Sequence, residues 1–336
     1  MNPTKTKAAI ILGRGNQDRI YPSSVRQSID SMCHVVVEEC TPDEMARYTE
    51  ALTEVKVLFS GWGAPVLNTD TLALMPRLEA VFYGAGTIKD IVTDAFWERN
   101  IPICSAWASN AVPVAEFAVA QIILSLKQAW LFPQLLKANR GRAWPEGFDQ
   151  AGAFGTKVAL ISLGQIGQRV ARMLQSYEVE VLAYDPFCSA EQAEALGVRL
   201  VDLETCFDEA RVVSLHSPLK PETRKMFGAN LFQRMPTGAT LINTARGGLI
   251  DEIELAETLR KRPDLTALLD VTDPEPPQPD SALYDLENCF LTPHIAGSKG
   301  SECGRMGKSM VEECQRFLAG KPMKHQISKE PFSRLA

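Results

Sequence analysis

Between Lys157 and His294 six short apolar runs, VALISL, VEVLAYD, VVSLH, ATLIN, LTALLDV and NCFLTPH, succeed one another with polar stretches between them. Continuous aliphatic and β-branched runs without strict alternation are what strands become when both faces are buried, which happens when helices cover a parallel sheet on both sides. An earlier series over residues 7–104 (AAIIL, HVVVE, VKVLFS, LEAVFYG, IPIC) alternates with helical segments such as Pro42–Ala51 and Asp94–Asn100. The pattern predicts two α/β layers in tandem, and 336 residues are more than one core usually supports.

The stretch Val112–Arg140 separates the two series. Apolar residues at 114, 117, 118, 122, 123 and 126 recur at helical spacing, and Pro113 suits a first helical position, so a helix crossing from one domain to the other is predicted. Gly297–Ala319 again has a helical pattern and the sequence stops at Ala336; the tail is expected to return to the first domain. Residues 1–112 and 298–336 then form one domain and 113–297 the other. The proline-rich stretch Asp273–Asp280 is predicted to be a loop.

Bulk properties remove several function classes. A formal charge of -6 gives no long-range attraction for a phosphate backbone, so no nucleic-acid partner is expected. The longest apolar run, Phe117–Leu126, is interrupted by Gln121 and too short to span a bilayer; no membrane partner is expected. The eight cysteines are scattered with no C-x-x-C pair and no secretory leader before them, which predicts reduced thiols and a cytoplasmic protein. No Cys/His/Asp/Glu cluster has metal-ligand spacing.

The most informative turn is Ser162-Leu163-Gly164-Gln165-Ile166-Gly167. A buried-strand run, Lys157–Leu163, enters it; a helical pattern over Gln168–Tyr177 leaves it; a second strand, Glu178–Tyr184, ends at Asp185. Such a turn aims free amides and the positive end of a helix at a diphosphate, and an acid about twenty residues on meets the adenosine ribose. Ser162 stands where the first glycine of the pattern would be. A carboxylate at Asp185 accepts from two ribose hydroxyls and repels a 2'-phosphate, and no Lys or Arg follows before Val198, so NAD is expected over NADP.

Three blocks carry the remaining chemistry: NTARGG (Asn243–Gly248), DVTDPEP (Asp270–Pro276) and LTPHIAG (Leu291–Gly297). They place an arginine, a glutamate and a histidine after successive apolar runs. Reduction of a 2-keto acid needs a cation for the carboxylate, an acid for the carbonyl oxygen and a hydride donor. Arg246 offers a planar two-pronged grip on carboxylate. His294 can give or take a proton near neutrality, because imidazole ordinarily titrates near 6.5. Glu275 can bond the far ring nitrogen, fixing the tautomer and favouring the charged ring. Gly307-Lys308-Ser309 looks like the end of a phosphate loop but has Glu302 where the loop needs glycine; it is assigned to a helix. Trp62 and Trp107 are assigned to the core.

Several blocks in order, the S-L-G-Q-I-G turn, Tyr184-Asp185-Pro186, Val213–Leu219, NTARGG, DVTDPEP and TPHIAG, with Tyr83–Gly86 and Asn110–Glu116 upstream, resemble the D-isomer-specific 2-hydroxyacid dehydrogenases. The resemblance implies two Rossmann-like domains, one flavodoxin-like and one NAD-binding, with the active site in the cleft and a homodimer formed through the NAD-binding domain. It implies Arg246, Glu275 and His294 as catalytic residues, and backbone groups of Ala85 and Gly86 as substrate ligands beside Arg246. Ser162, Gly164, Gln165, Ile166, Gly167, Asp185, His216, Pro218, Thr223, Thr244, Ala245, Arg246, Asp270, His294 and Gly297 would line NAD. Two departures bear on the substrate: Thr272 replaces the usual aromatic after Asp-Val, and Thr87-Ile88-Lys89-Asp90 replaces the usual Asp-Asn ending of the glycine loop. The rival expectation is an NAD(H)-sensing binding protein related to the family's co-repressors.

Overall fold

The computed structural model describes residues 5–140 and 152–329. Residues 1–4 and 330–336, assigned above to the first domain, and residues 141–151 of the second lie outside the described residues. The chain divides into two compact units, one drawn from Met1–Ala111 and Ser298–Leu335, the other from Val112–Gly297.

The first unit is built on β1 (Thr6–Ile11), β2 (Cys33–Cys40), β3 (Val57–Ser60), β4 (Ala80–Tyr83) and β5 (Ile103–Ser105). The sheet runs β5-β4-β3-β1-β2 with all of these pairs parallel, and Gln326–Ile327 adds an antiparallel edge beside β5. Numbered from its own first strand this is the 2-1-3-4-5 order of flavodoxin-like sheets. The two-residue period of a strand divides the core. Ala8, Ile10, Phe59 and Phe82 pack against the helix Glu302–Leu318, while Ala9, Ile11, Leu58 and Val81 pack on the other face with Leu52, Leu72 and Phe96. A Cβ on Gly307 would come within 1.8 Å of the Ile20 carbonyl oxygen, so this glycine serves close packing of the returning helix, and the Gly-Lys-Ser sequence is helical as expected.

The second unit contains β6 (Thr156–Ile161), β7 (Val179–Tyr184), β8 (Arg199–Leu200), β9 (Val212–Leu215), β10 (Thr240–Asn243), β11 (Thr266–Leu269) and β12 (Cys289–Leu291). They form one fully parallel sheet ordered β8-β7-β6-β9-β10-β11-β12. This is the doubly wound dinucleotide-binding order, 3-2-1-4-5-6, extended by one strand, and its direction reverses between β6 and β9. Ligands of such sheets bind beyond the carboxyl ends of the strands at that reversal. Ser162, Asp185, His216, Thr244, Asp270 and Thr292 each immediately follow a strand.

The crossing helix corrects the sequence-based boundary. It spans Trp107–Leu126, so Pro113 lies inside it rather than at its first position. The helix starts early because the Ala106 carbonyl accepts the Asn110 amide at 3.0 Å, while Ala106 itself is bonded to the carbonyls of Tyr83 and Ala85. Pro113 forfeits one helical hydrogen bond. The helix is 20 residues long and by length and composition apolar enough to cross a membrane, but half of it is buried. Ala115, Ala118, Ile122 and Leu126 pack against Val158, Leu160 and Val170 of the second unit.

Candidate active site

The turn after β6 adopts the backbone of a glycine-rich loop without its first glycine. Ser162 has φ +80°, the left-handed region, and its amide donates to the Tyr184 carbonyl at 2.8 Å. Gly167 is required for a different reason: a Cβ there would lie 2.1 Å from the Ser162 carbonyl oxygen. Gly164 heads the helix Gln165–Leu174, which starts three residues before the predicted pattern and has no side-chain cap. Among the described residues nothing lies within 4 Å of where a Gly164 Cβ would be, so the helix N-terminus faces open space there, the environment a diphosphate requires.

Because a left-handed serine costs about 1–2 kcal/mol and glycine loses about 0.5–1 kcal/mol in chain entropy, Ser162→Gly is expected to stabilise the protein by about 0.5–1 kcal/mol. A urea unfolding midpoint that moves up shows it; a lower midpoint would mean that the serine side chain stabilises the turn.

Asp185 ties this turn to the next strand. Its Oδ2 accepts the Leu163 amide at 2.7 Å and its Oδ1 the Phe187 amide at 2.8 Å. Beyond β9, His216 is buried, neither ring nitrogen has a partner among the described residues, and burial lowers its pKa to about 4, so the ring is neutral. Thr244 beyond β10 is also buried, with its hydroxyl unpartnered among the described residues. A buried polar atom left without a partner costs about 1–3 kcal/mol, so these positions suit a polar ligand. The open cradle at Gly164 and the orphaned groups of His216 and Thr244 fit a dinucleotide. Thr223 spends its hydroxyl locally, donating to the Pro218 carbonyl at 2.7 Å.

After β10 the buried Asn243 staples the next turn: its Nδ2 donates to the Arg246 carbonyl at 2.9 Å and its Oδ1 accepts the Ala245 amide at 3.0 Å. Arg246 is extended (φ -148°, ψ 140°), and its Nη1 donates to the Ala245 carbonyl at 2.6 Å. A Cβ on Gly247 would lie 2.0 Å from the Thr272 carbonyl carbon, so glycine lets the Arg246 turn lie directly on the chain leaving β11. Thr272 contributes backbone to that contact, while its hydroxyl donates to the Pro274 carbonyl at 2.9 Å.

Asp270, at the end of β11, is buried and its carboxylate is fully engaged. Oδ1 accepts the Thr292 hydroxyl (2.6 Å) and the Ile295 amide (2.8 Å), and Oδ2 accepts the Ala296 amide (2.9 Å). The His294 amide donates to the Asp270 carbonyl at 3.0 Å. The observed partners of Asp270 are therefore the loop that carries the histidine. His294 has φ +51°, which turns its ring to Glu275, with Nδ1 2.7 Å from Oε1. A carboxylate at Nδ1 requires that nitrogen to carry a proton, which leaves Nε2 for other chemistry. The side chains are 51% and 42% exposed, so the pair orients a ring rather than anchoring a core.

The remaining expectations fall elsewhere. Ala85 and Gly86 belong to the first unit, where Ser105 donates its hydroxyl to both of their carbonyls. Gln165 and Ile166 open the helix after the loop, Ala245 lies in the Arg246 turn, and Gly297 is the last residue of its unit. Trp62 and Trp107 pack against the core of the first unit. Sequence reasoning missed Arg224, which reaches Asp273 at 2.7 Å; a separation of 49 residues leaves no local signal for it.

A parallel sheet of this order, with a diphosphate-type turn at its reversal and an acid-paired histidine at its rim, defines a dinucleotide-binding α/β protein of the dehydrogenase type. Residues 122–296 match the family model "D-isomer specific 2-hydroxyacid dehydrogenase, NAD binding domain". An (S)-sulfolactate dehydrogenase from Chromohalobacter salexigens is 33% identical over 288 residues, covering 85% of this chain and 92% of that protein. The chain belongs to the D-isomer specific 2-hydroxyacid dehydrogenase family, and its second unit is an NAD-binding domain. A D-3-phosphoglycerate dehydrogenase from Archaeoglobus fulgidus is 34% identical over 263 residues, 78% of this chain but 49% of that protein; the chain spans about half the length of such relatives. The fold matches the NAD-complexed D-isomer specific 2-hydroxyacid dehydrogenase of Lactobacillus delbrueckii ssp. bulgaricus, with TM-score 0.80, 20% identity, and coverage of 96% of this chain and 100% of that one.

Proposed function

We propose that the protein interconverts a small 2-keto acid and the D-2-hydroxy acid, with NAD as its redox partner. The observation that carries this reading is the 2.7 Å contact between His294 Nδ1 and Glu275 Oε1, on the same strand-end rim as the Arg246 turn. NAD, held by the Gly164 cradle, Asp185, His216 and Thr244, supplies or accepts the hydride. Arg246 binds the carboxylate of the acid with its guanidinium fork and polarises the reacting oxygen. Glu275 keeps the Nδ1 proton in place and fixes the ring's orientation, so that Nε2 of His294 delivers a proton to the carbonyl oxygen in reduction and removes it in oxidation. Asp270 keeps the histidine loop in register throughout.

The substrate is a short acid, and the relatives named for sulfolactate and phosphoglycerate point to acids with a second anionic group as the first to try. The test is NADH consumption against plain, sulfonated and phosphorylated three-carbon 2-keto acids. Reduction of at least one, with the D-hydroxy acid as product, is the expected result. Tight NADH binding with no acid reduced would overturn the proposal in favour of NAD(H) sensing.

A further inference from the structure

We propose that Arg224 and Asp273 form a clamp that positions Glu275 against His294, making Arg224 a positioning residue for the reaction; this rests on the functional reading above. Three segments leave adjacent strand ends here. The first, after β9, is laced along the Arg246 turn: the Lys225 amide donates to the Gly248 carbonyl at 2.8 Å and the Phe227 amide to the Leu249 carbonyl at 3.1 Å. From that anchored strip the Arg224 guanidinium reaches the Asp273 carboxylate at 2.7 Å. Asp273 is also held by its backbone, its amide donating to Glu252 at 2.8 Å. Two residues further on is Glu275.

Gly248 lies beneath the ion pair. A Cβ there would be 3.0 Å from Asp273 Oδ2 and 3.1 Å from an Arg224 nitrogen, so the second glycine of NTARGG leaves room for the clamp as the first leaves room for Thr272. The partners are 53% and 41% exposed, and an exposed ion pair adds little to folding stability. Its consequence is geometric: Glu275 sits in a proline-rich loop outside any strand or helix, and a misplacement of about 1 Å in catalytic machinery costs on the order of 100-fold.

The test is a double-mutant cycle on kcat with saturating NADH. Arg224→Ala and Asp273→Ala are each expected to lower kcat about 10-fold, with the KM for NADH unchanged and the melting temperature within about 2 °C of wild type. The double variant should lose no more than either single one, and Arg224→Lys should recover part of the loss. A second readout does not need turnover: in 15N-histidine NMR, with His294 assigned by its absence in His294→Asn, the wild type should show the Nδ1-protonated tautomer and Arg224→Ala should weaken it. A kcat within two-fold of wild type in Arg224→Ala, multiplying losses in the cycle, or an unchanged His294 spectrum would overturn the clamp. Wild-type protein that reduces no acid would instead sink the functional reading, and the NMR comparison would still decide the clamp.

Discussion

His294→Asn is expected to lower kcat for keto-acid reduction by roughly 10²- to 10⁴-fold, the usual contribution of a positioned general acid or base. Asparagine is the replacement of choice because His294 sits at φ +51°, a conformation asparagine tolerates better than alanine does. The loop keeps its shape without the imidazole, since the contacts holding it run from its backbone and Thr292 to Asp270. Folding stability and NADH affinity should therefore stay close to wild type, and the loss should fall on the chemical step seen in single-turnover kinetics. Turnover near the wild-type rate would remove His294 from that step and leave the pair with Glu275 as a surface ion pair.

Arg246→Gln is expected to reduce kcat/KM for the acid by about 10²- to 10³-fold, equivalent to about 2.7–4 kcal/mol. Glutamine removes the charge and the two-pronged geometry together. Arg246→Lys keeps the charge and should recover only part of the loss, because an ammonium cannot reproduce the parallel pair of hydrogen bonds to carboxylate. The turn itself survives either change, since Asn243 binds the backbone of residues 245 and 246 rather than the guanidinium. Steady-state constants for the acid and for NADH, taken separately, check this: a loss confined to NADH affinity, with the acid's constants unchanged, would assign Arg246 to the cofactor alone.

Much of the fold was legible in the sequence because a parallel strand buried on both faces must be a continuous apolar run, and such runs mark β6, β7 and β9–β12 without help from distant residues. The crossing helix was less legible. Pro113 suggested a start, but the true start at Trp107 depends on the Ala106 carbonyl, a capping contact that periodicity does not encode. Ser162 shows the limit from the other side. Its residue type argues against a left-handed turn, yet Gly167 and the bond to Tyr184 hold it at φ +80°, because surrounding packing outweighs a local preference of about 1–2 kcal/mol. The two glycines after Arg246 accommodate Thr272 and the Arg224–Asp273 pair, partners that only the folded sheet brings near.

By itself the sequence determined the parallel architecture and the placement of chemically able residues just past strand ends, since both are local consequences of burial and strand length. Only the tertiary structure decided which acid serves which purpose. Glu275 and Asp270 lie 19 and 25 residues from the groups they meet, His294 and Ile295, yet one takes the imidazole and the other the amides of the same loop. Hydrogen bonds are settled within about 3 Å, and that distance is set by the side-by-side order of β10, β11 and β12, which no spacing along the chain records.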